Sequence, residues 1–253
     1  MYTFNDLKDK VRRYFKFSKE ETKAIIITTL AYAFIISFKQ WGPGPGKVEL
    51  LYGLGNLLIA ILIMSLTVLV HVCVQRIIGL NIGFRVEYKL WIYGIAIALI
   101  LCIVSNGDIW FLFLPGGIFL HMLSQHRLGY FRYGLNMMAH AMVAVVGPLS
   151  NLVLAIIFKI IHSFTPSPLI QKIILVNILF AVFNMLPIPP LDGSRVFFQS
   201  RMGYAFLLGA ITGVAIFLNT NVSVIIIIIG AVIIGALSWF LYYSLFERKV
   251  WGT

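Results

Sequence analysis

The sequence predicts an all-α polytopic membrane protein, with about six transmembrane helices plus a membrane-embedded hairpin or small strand element. Two observations carry this. Of 253 residues, 60% are hydrophobic and only 11% are charged, more apolar surface than a soluble domain of this size can hide. Apolar runs long enough to cross a bilayer recur at about 22–39, 51–75, 137–161, 167–187, 203–219 and 222–246. A net charge of +11 is then read as topology bias and attraction to anionic headgroups. No basic run is interleaved with aromatics on a soluble platform, so nucleic acid is not an expected partner. Cys73 and Cys102 both fall in apolar runs, which argues against a disulfide framework.

Residues 1–22 form a basic amphipathic segment. Phe4, Leu7, Val11, Tyr14 and Phe15 share one helical face, with Lys8, Lys10, Arg12 and Arg13 around them. This pattern predicts an interfacial helix on the cytoplasmic leaflet. Asp6, Asp9, Glu20 and Glu21 make the segment too acidic for a secretory signal. Ser18-Lys-Glu-Glu21 matches a capping box opening the first span. Residues 23–50 hold that span and a turn-rich outside loop, Trp41-Gly-Pro-Gly-Pro-Gly46. Residues 51–193 form the core.

Within the core, the apolar stretches 90–105 and 109–120 are each short for a span. The second carries Pro115-Gly116-Gly117, so the pair is expected to return to its starting side. Residues 194–253 supply two C-terminal spans and a tail. No internal repeat is evident, which weighs against repeat-built transporters. With both termini cytoplasmic, the inner side receives the basic N-terminal segment. It also receives Arg76, Arg85, Lys89, Arg127, Arg132, Arg195, Arg201, Arg248 and Lys249. The positive-inside rule selects this orientation, and the plasma membrane is the expected location.

That topology brings His71 and Asp192 to similar depth on one side, and ionisable residues at such depth are functional candidates. His71 and Gln75 are four residues apart and share a helix face. This is the spacing of two zinc ligands on a helix, with a Glu after the first His as general base. Val72 stands at the base position and takes no proton. Gln75 offers a neutral amide oxygen, a poor zinc ligand. Cys73 is turned about 200° from His71. Further on, Pro187, Pro189 and Pro190 break a helix before Asp192-Gly193, which is expected in a turn. Pro148, in Gly147-Pro-Leu-Ser-Asn151, is expected to kink its span. Asn151 then needs a polar partner at that depth.

These strings resemble the site-2 protease family of intramembrane zinc metalloproteases, especially its compact archaeal-type members. The resemblance runs from about Leu51 to Gly193. Three elements match in order: the helix of His71, the G-P-x-x-N helix of Gly147 to Asn151, and Asn184-Met-Leu-Pro-Ile-Pro-Pro-Leu-Asp-Gly193. Pro115-Gly116-Gly117 resembles the family's membrane-associated loop.

The resemblance implies that His71 is the first zinc ligand and Asp192 the third. It implies that Asn151 holds the substrate backbone or the developing oxyanion, and that Gly147, Asn184 and Pro187 shape the cleft. The catalytic Glu falls on Val72 and the second His on Gln75, so both are absent. His121 or His126 could substitute as a ligand. His140 is a possible cavity residue, and His162 lies at the outer end of a span. Glu87 is expected in a loop after the His71 helix. The leading expectation is a pseudoprotease that binds transmembrane segments of other membrane proteins within the lipid bilayer. One alternative is an active intramembrane protease with a remodelled zinc site. Another is a small-solute or ion pathway.

Overall fold

The computed structural model describes residues 4–42, 49–123, 137–218, 220 and 222–248. They fall into two compact units, Met1–Ala139 and His140–Thr253. The core predicted over 51–193 contributes to both.

The first unit opens with α1 (Phe4–Tyr14), α2 (Lys19–Ser37) and α3 (Leu50–Ile82). α1 turns Leu7, Val11 and Tyr14 partly inward, leaves Lys8, Arg12 and Arg13 exposed, and packs on α3. Ion pairs one turn apart, Lys10–Asp6 at 2.9 Å and Arg13–Asp9 at 3.0 Å, line it. Such pairs contribute only tenths of a kcal/mol. α2 begins with the expected capping box. The Ser18 hydroxyl accepts from the Glu21 amide at 3.1 Å, and the Ser18 amide donates to the Glu21 carboxylate at 3.4 Å. Both contacts satisfy donors that a helix start leaves orphaned.

α3 runs 33 residues, seven beyond the predicted end of its apolar run. It stops at Gly83, whose amide donates to the carbonyls of Gly79 and Leu80.

Next come β1 (Phe84–Leu90), α4 (Ile92–Val104) and β2 (Gly116–Met122). The strands pair antiparallel, from Phe84 opposite Met122 to Leu90 opposite Gly116. Trp91 and Leu123 extend the ladder with amide bonds to Pro115 and Gly83. β1 alternates with period two. Phe84, Val86 and Tyr88 are buried, and Arg85 and Lys89 are exposed. The Tyr88 hydroxyl lies 3.0 Å from the Thr28 hydroxyl and donates to the Pro115 carbonyl at 3.1 Å. The Tyr32 hydroxyl accepts from the Leu114 amide at 2.7 Å.

The apolar stretch 109–120 is therefore an irregular entry into a strand. Gly116 explains why. Its φ is 148°, and a Cβ there would meet the Lys89 carbonyl at 2.2 Å. Only glycine allows the strands to meet at that point.

The second unit contains α5 (Met137–Phe164) from His140 on, α6 (Pro168–Asn184), α7 (Asp192–Gln199), α8 (Arg201–Leu218) and α9 (Val224–Tyr242). A π-helical turn, Tyr243–Glu247, extends α9. Pro168 starts α6, where its missing amide costs nothing. Ala155, Ile174, Ile178, Leu218 and Ile227 form a buried cluster joining α5, α6, α8 and α9. α8 and α9 pack closely, with Gly209 against Ser238.

Among the described residues, four helices are long and apolar enough to cross a membrane: Leu50–Ile82, Met137–Phe164, Arg201–Leu218 and Val224–Glu247. Large apolar side chains stand outward on them, Leu51 at 79% exposure and Ile225 at 70%. This is the surface of a polytopic helical membrane protein. The other two runs read as spans are α2, with four charges within its first five residues, and α6, only 17 residues long.

Candidate metal and substrate site

In the first unit, α3 presents the expected series. His71 is 4% exposed, Val72 is 1% and Gln75 is fully buried. Val72 is thus a packed apolar side chain where a general base would need access to water. Gln75 sits one turn past His71 on the same face.

Arg76, expected on the cytoplasmic side just past the second span, lies inside α3 with 1% of its side chain exposed. Its guanidinium pairs with the equally buried Glu21 carboxylate. It also donates to the carbonyls of Lys16 at 2.8 Å and Phe15 at 3.2 Å, and stands 4.2 Å from the Phe17 ring centre. The Glu21 carboxylate further accepts from the Tyr88 amide at 3.0 Å. The chain entering α2, the helix bearing His71 and the strand β1 therefore meet at one buried ion pair. Sequence reasoning missed this node. Nothing local pairs Glu21 with Arg76, which lies 55 residues away.

His121, weighed as a replacement ligand, lies in β2 with a 54% exposed side chain. Its Nε2 is 3.2 Å from the Glu87 carboxylate. Glu87 lies in β1 rather than in the expected loop, because Arg85-Val-Glu-Tyr-Lys-Leu90 has strand periodicity. The Ser18 hydroxyl donates to the other Glu87 oxygen at 3.2 Å. His126 lies outside the described residues.

In the second unit, α5 continues through Pro148, so the proline does not end the helix. The Ser150 hydroxyl donates to the Gly147 carbonyl at 2.7 Å, and Asn151 is fully buried. Asn184 closes α6 and donates its amide to the Phe180 carbonyl at 2.9 Å. Pro187 and Pro189 are exposed on the loop that follows.

Asp192 is 1% exposed and opens α7 instead of sitting in a turn. A carboxylate there interacts favourably with the helix dipole. Arg195 follows one turn on. Burial pushes its guanidinium pKa down, and the Asp192 carboxylate opposes that shift.

The loop is held at the Met185 carbonyl. The Tyr204 hydroxyl of α8 donates to it at 2.8 Å, and a Cβ on Gly193 would approach it to 2.1 Å. Tyr204 has no signature in the sequence. Gly193→Ala is expected to lower stability by about 2 kcal/mol or more, because backbone must shift. Tyr204→Phe is expected to lower it by about 1 kcal/mol. Thermal unfolding in detergent measures both.

The candidate ligands are thus one imidazole and one carboxamide in the first unit and one carboxylate in the second. Among the described residues, no group of three or more His, Cys, Asp or Glu side chains is placed to hold a metal ion. A tetrahedral zinc centre wants three or four strong N, S or O donors. The described residues do not fit one.

Comparison with known proteins bears on the same point. A protein of Methanocaldococcus jannaschii named "Putative zinc metalloprotease" is 27% identical over 187 residues. The match covers 72% of this chain and 85% of that protein. The chain is similar to a zinc metalloprotease by name. At that identity, the likeness supports a relation to zinc metalloproteases as a broad class. No family model matches the chain, and no solved structure matches it.

Proposed function

We propose that this chain is a site-2-protease-like integral membrane protein that binds transmembrane segments of other membrane proteins without cutting them. The observation that carries the reading is Val72. It is a buried valine, 1% exposed, where the resemblance requires the general base. Gln75 beside it supplies a weak amide donor in place of the second imidazole. Removing a general base alone typically costs about 10²–10⁴ in rate.

Three features support the reading: Asn151 and Asn184 are buried, Asp192 is buried at the start of α7, and Gly193 packs against the Met185 carbonyl. Asn151, Gly147, Asn184 and Pro187 would then contact the incoming segment, in the plasma membrane with both termini cytoplasmic. The similarity to a protein named as a zinc metalloprotease supports descent from an enzyme.

Metal analysis of the purified protein tests the proposal. The expected content is well below one zinc per chain, with no cleavage of membrane-anchored substrates. One tightly held zinc per chain, lost in both His71→Ala and Asp192→Ala, would overturn it and point to an active enzyme.

A further inference from the structure

A second feature of the first unit is independent of the His71 helix face and of any proteolytic ancestry. A groove of about 340 Å³ runs between α2 and α3. Ile26, Thr29 and Leu30 line it from α2, and Ile61, Ser65 and Leu69 from α3. Phe17 closes one end.

The two helices run antiparallel there. Arg76 pairs with Glu21 at one end, and the Asn56 amide donates to the Gln40 carbonyl at the other. The Phe17 end is therefore the Glu21 end. The groove is open, since Ile26, Leu30 and Leu69 are 51%, 49% and 42% exposed.

Charge marks the Phe17 end. Lys16, Lys19 and Lys23 are all exposed around it. Lys19 precedes Thr22 by three residues, and Lys23 precedes Ile26 by three, so both continue the groove-lining face of α2. Of the acids nearby, Glu21 is committed to Arg76, Glu87 faces Ser18 and His121, and Glu20, three residues before Lys23, stands about 150° round α2 from the groove-lining residues. An apolar slot that ends in cations is complementary to an amphiphile with an anionic head.

At about 340 Å³ the slot falls in the small-ligand range, and its apolar lining suits an acyl chain.

We propose that the α2–α3 groove binds one anionic phospholipid, with an acyl chain along Ile26, Leu30 and Leu69 and its phosphate at Lys19 and Lys23. Native mass spectrometry of the full chain in detergent, with phosphatidylglycerol or phosphatidylcholine added, tests this. The expected result is one retained phosphatidylglycerol per chain, favoured about tenfold over phosphatidylcholine. Lys19→Gln with Lys23→Gln should abolish that preference. Ser65→Trp, which fills the slot, should lose both lipids.

The lysine pair is exposed and leaves packing untouched, so its result stands even if Ser65→Trp unfolds the protein. Equal retention of the two lipids by the native chain would overturn the proposal. So would a lysine variant that keeps the preference. A photo-crosslinker at Leu69 that captures protein and no lipid in native membranes would instead identify a partner helix.

Discussion

Arg76→Ala and Glu21→Ala are each expected to destabilise the protein by about 3–5 kcal/mol. Both side chains are 1% exposed, so deleting either leaves an uncompensated charge out of water. Without Arg76, the Glu21 carboxylate keeps only the Tyr88 and Ser18 amides. Without Glu21, the guanidinium keeps two carbonyls and the Phe17 ring. The pair itself need not be stabilising against an apolar replacement, because desolvation offsets much of the attraction. Glu21→Leu with Arg76→Met is therefore expected to be more stable than either single alanine variant. Thermal unfolding of these proteins in detergent ranks them, and Glu21→Ala combined with Arg76→Ala completes the cycle that measures the coupling. Single variants within about 1 kcal/mol of the native chain would mean that water reaches the pair.

That node also shows where the sequence stops being legible. Long apolar runs announced α3, α5, α8 and α9, because a bilayer demands runs of that length. The α2 start was readable because a capping box is a local four-residue code. The end of α3 was not. A charge at Arg76 reads as the edge of a span when its neutralising partner, Glu21, lies 55 residues away. Hydropathy along one dimension does not carry that partner. The sheet was half legible. Arg85 to Leu90 alternates openly, but its pairing with Gly116–Met122 depends on a backbone approach at Gly116 that no composition encodes.

The candidate site divides in the same way. Val72 and Gln75 stand out only against the resemblance, which implies a Glu and a second His at those two positions. Tyr204 does not stand out, because it acts through the Met185 carbonyl, 19 residues earlier. The surroundings of Asn151 are likewise set by tertiary packing, not by the Gly147–Asn151 string.

Val72→Glu combined with Gln75→His is expected to make stability depend on zinc. Val72→Glu alone places a carboxylate where 1% of the side chain meets solvent. That costs several kcal/mol, or forces the group to stay protonated. Gln75→His alone is a modest change of shape, expected to cost about 1 kcal/mol. In the combined variant the new imidazole adds a strong donor, and a bound cation would relieve the buried carboxylate. At zinc a hundredfold above its dissociation constant, about 2.7 kcal/mol of stabilisation follows. The native chain should show no such shift. Adding His71→Ala to the combined variant should abolish it. A zinc-dependent rise that needs His71 would mean that two side chains suffice to give this helix a metal-binding face. No rise would mean that the backbone around His71 has itself drifted, and that the resemblance survives in the sequence strings but not in the ligand geometry.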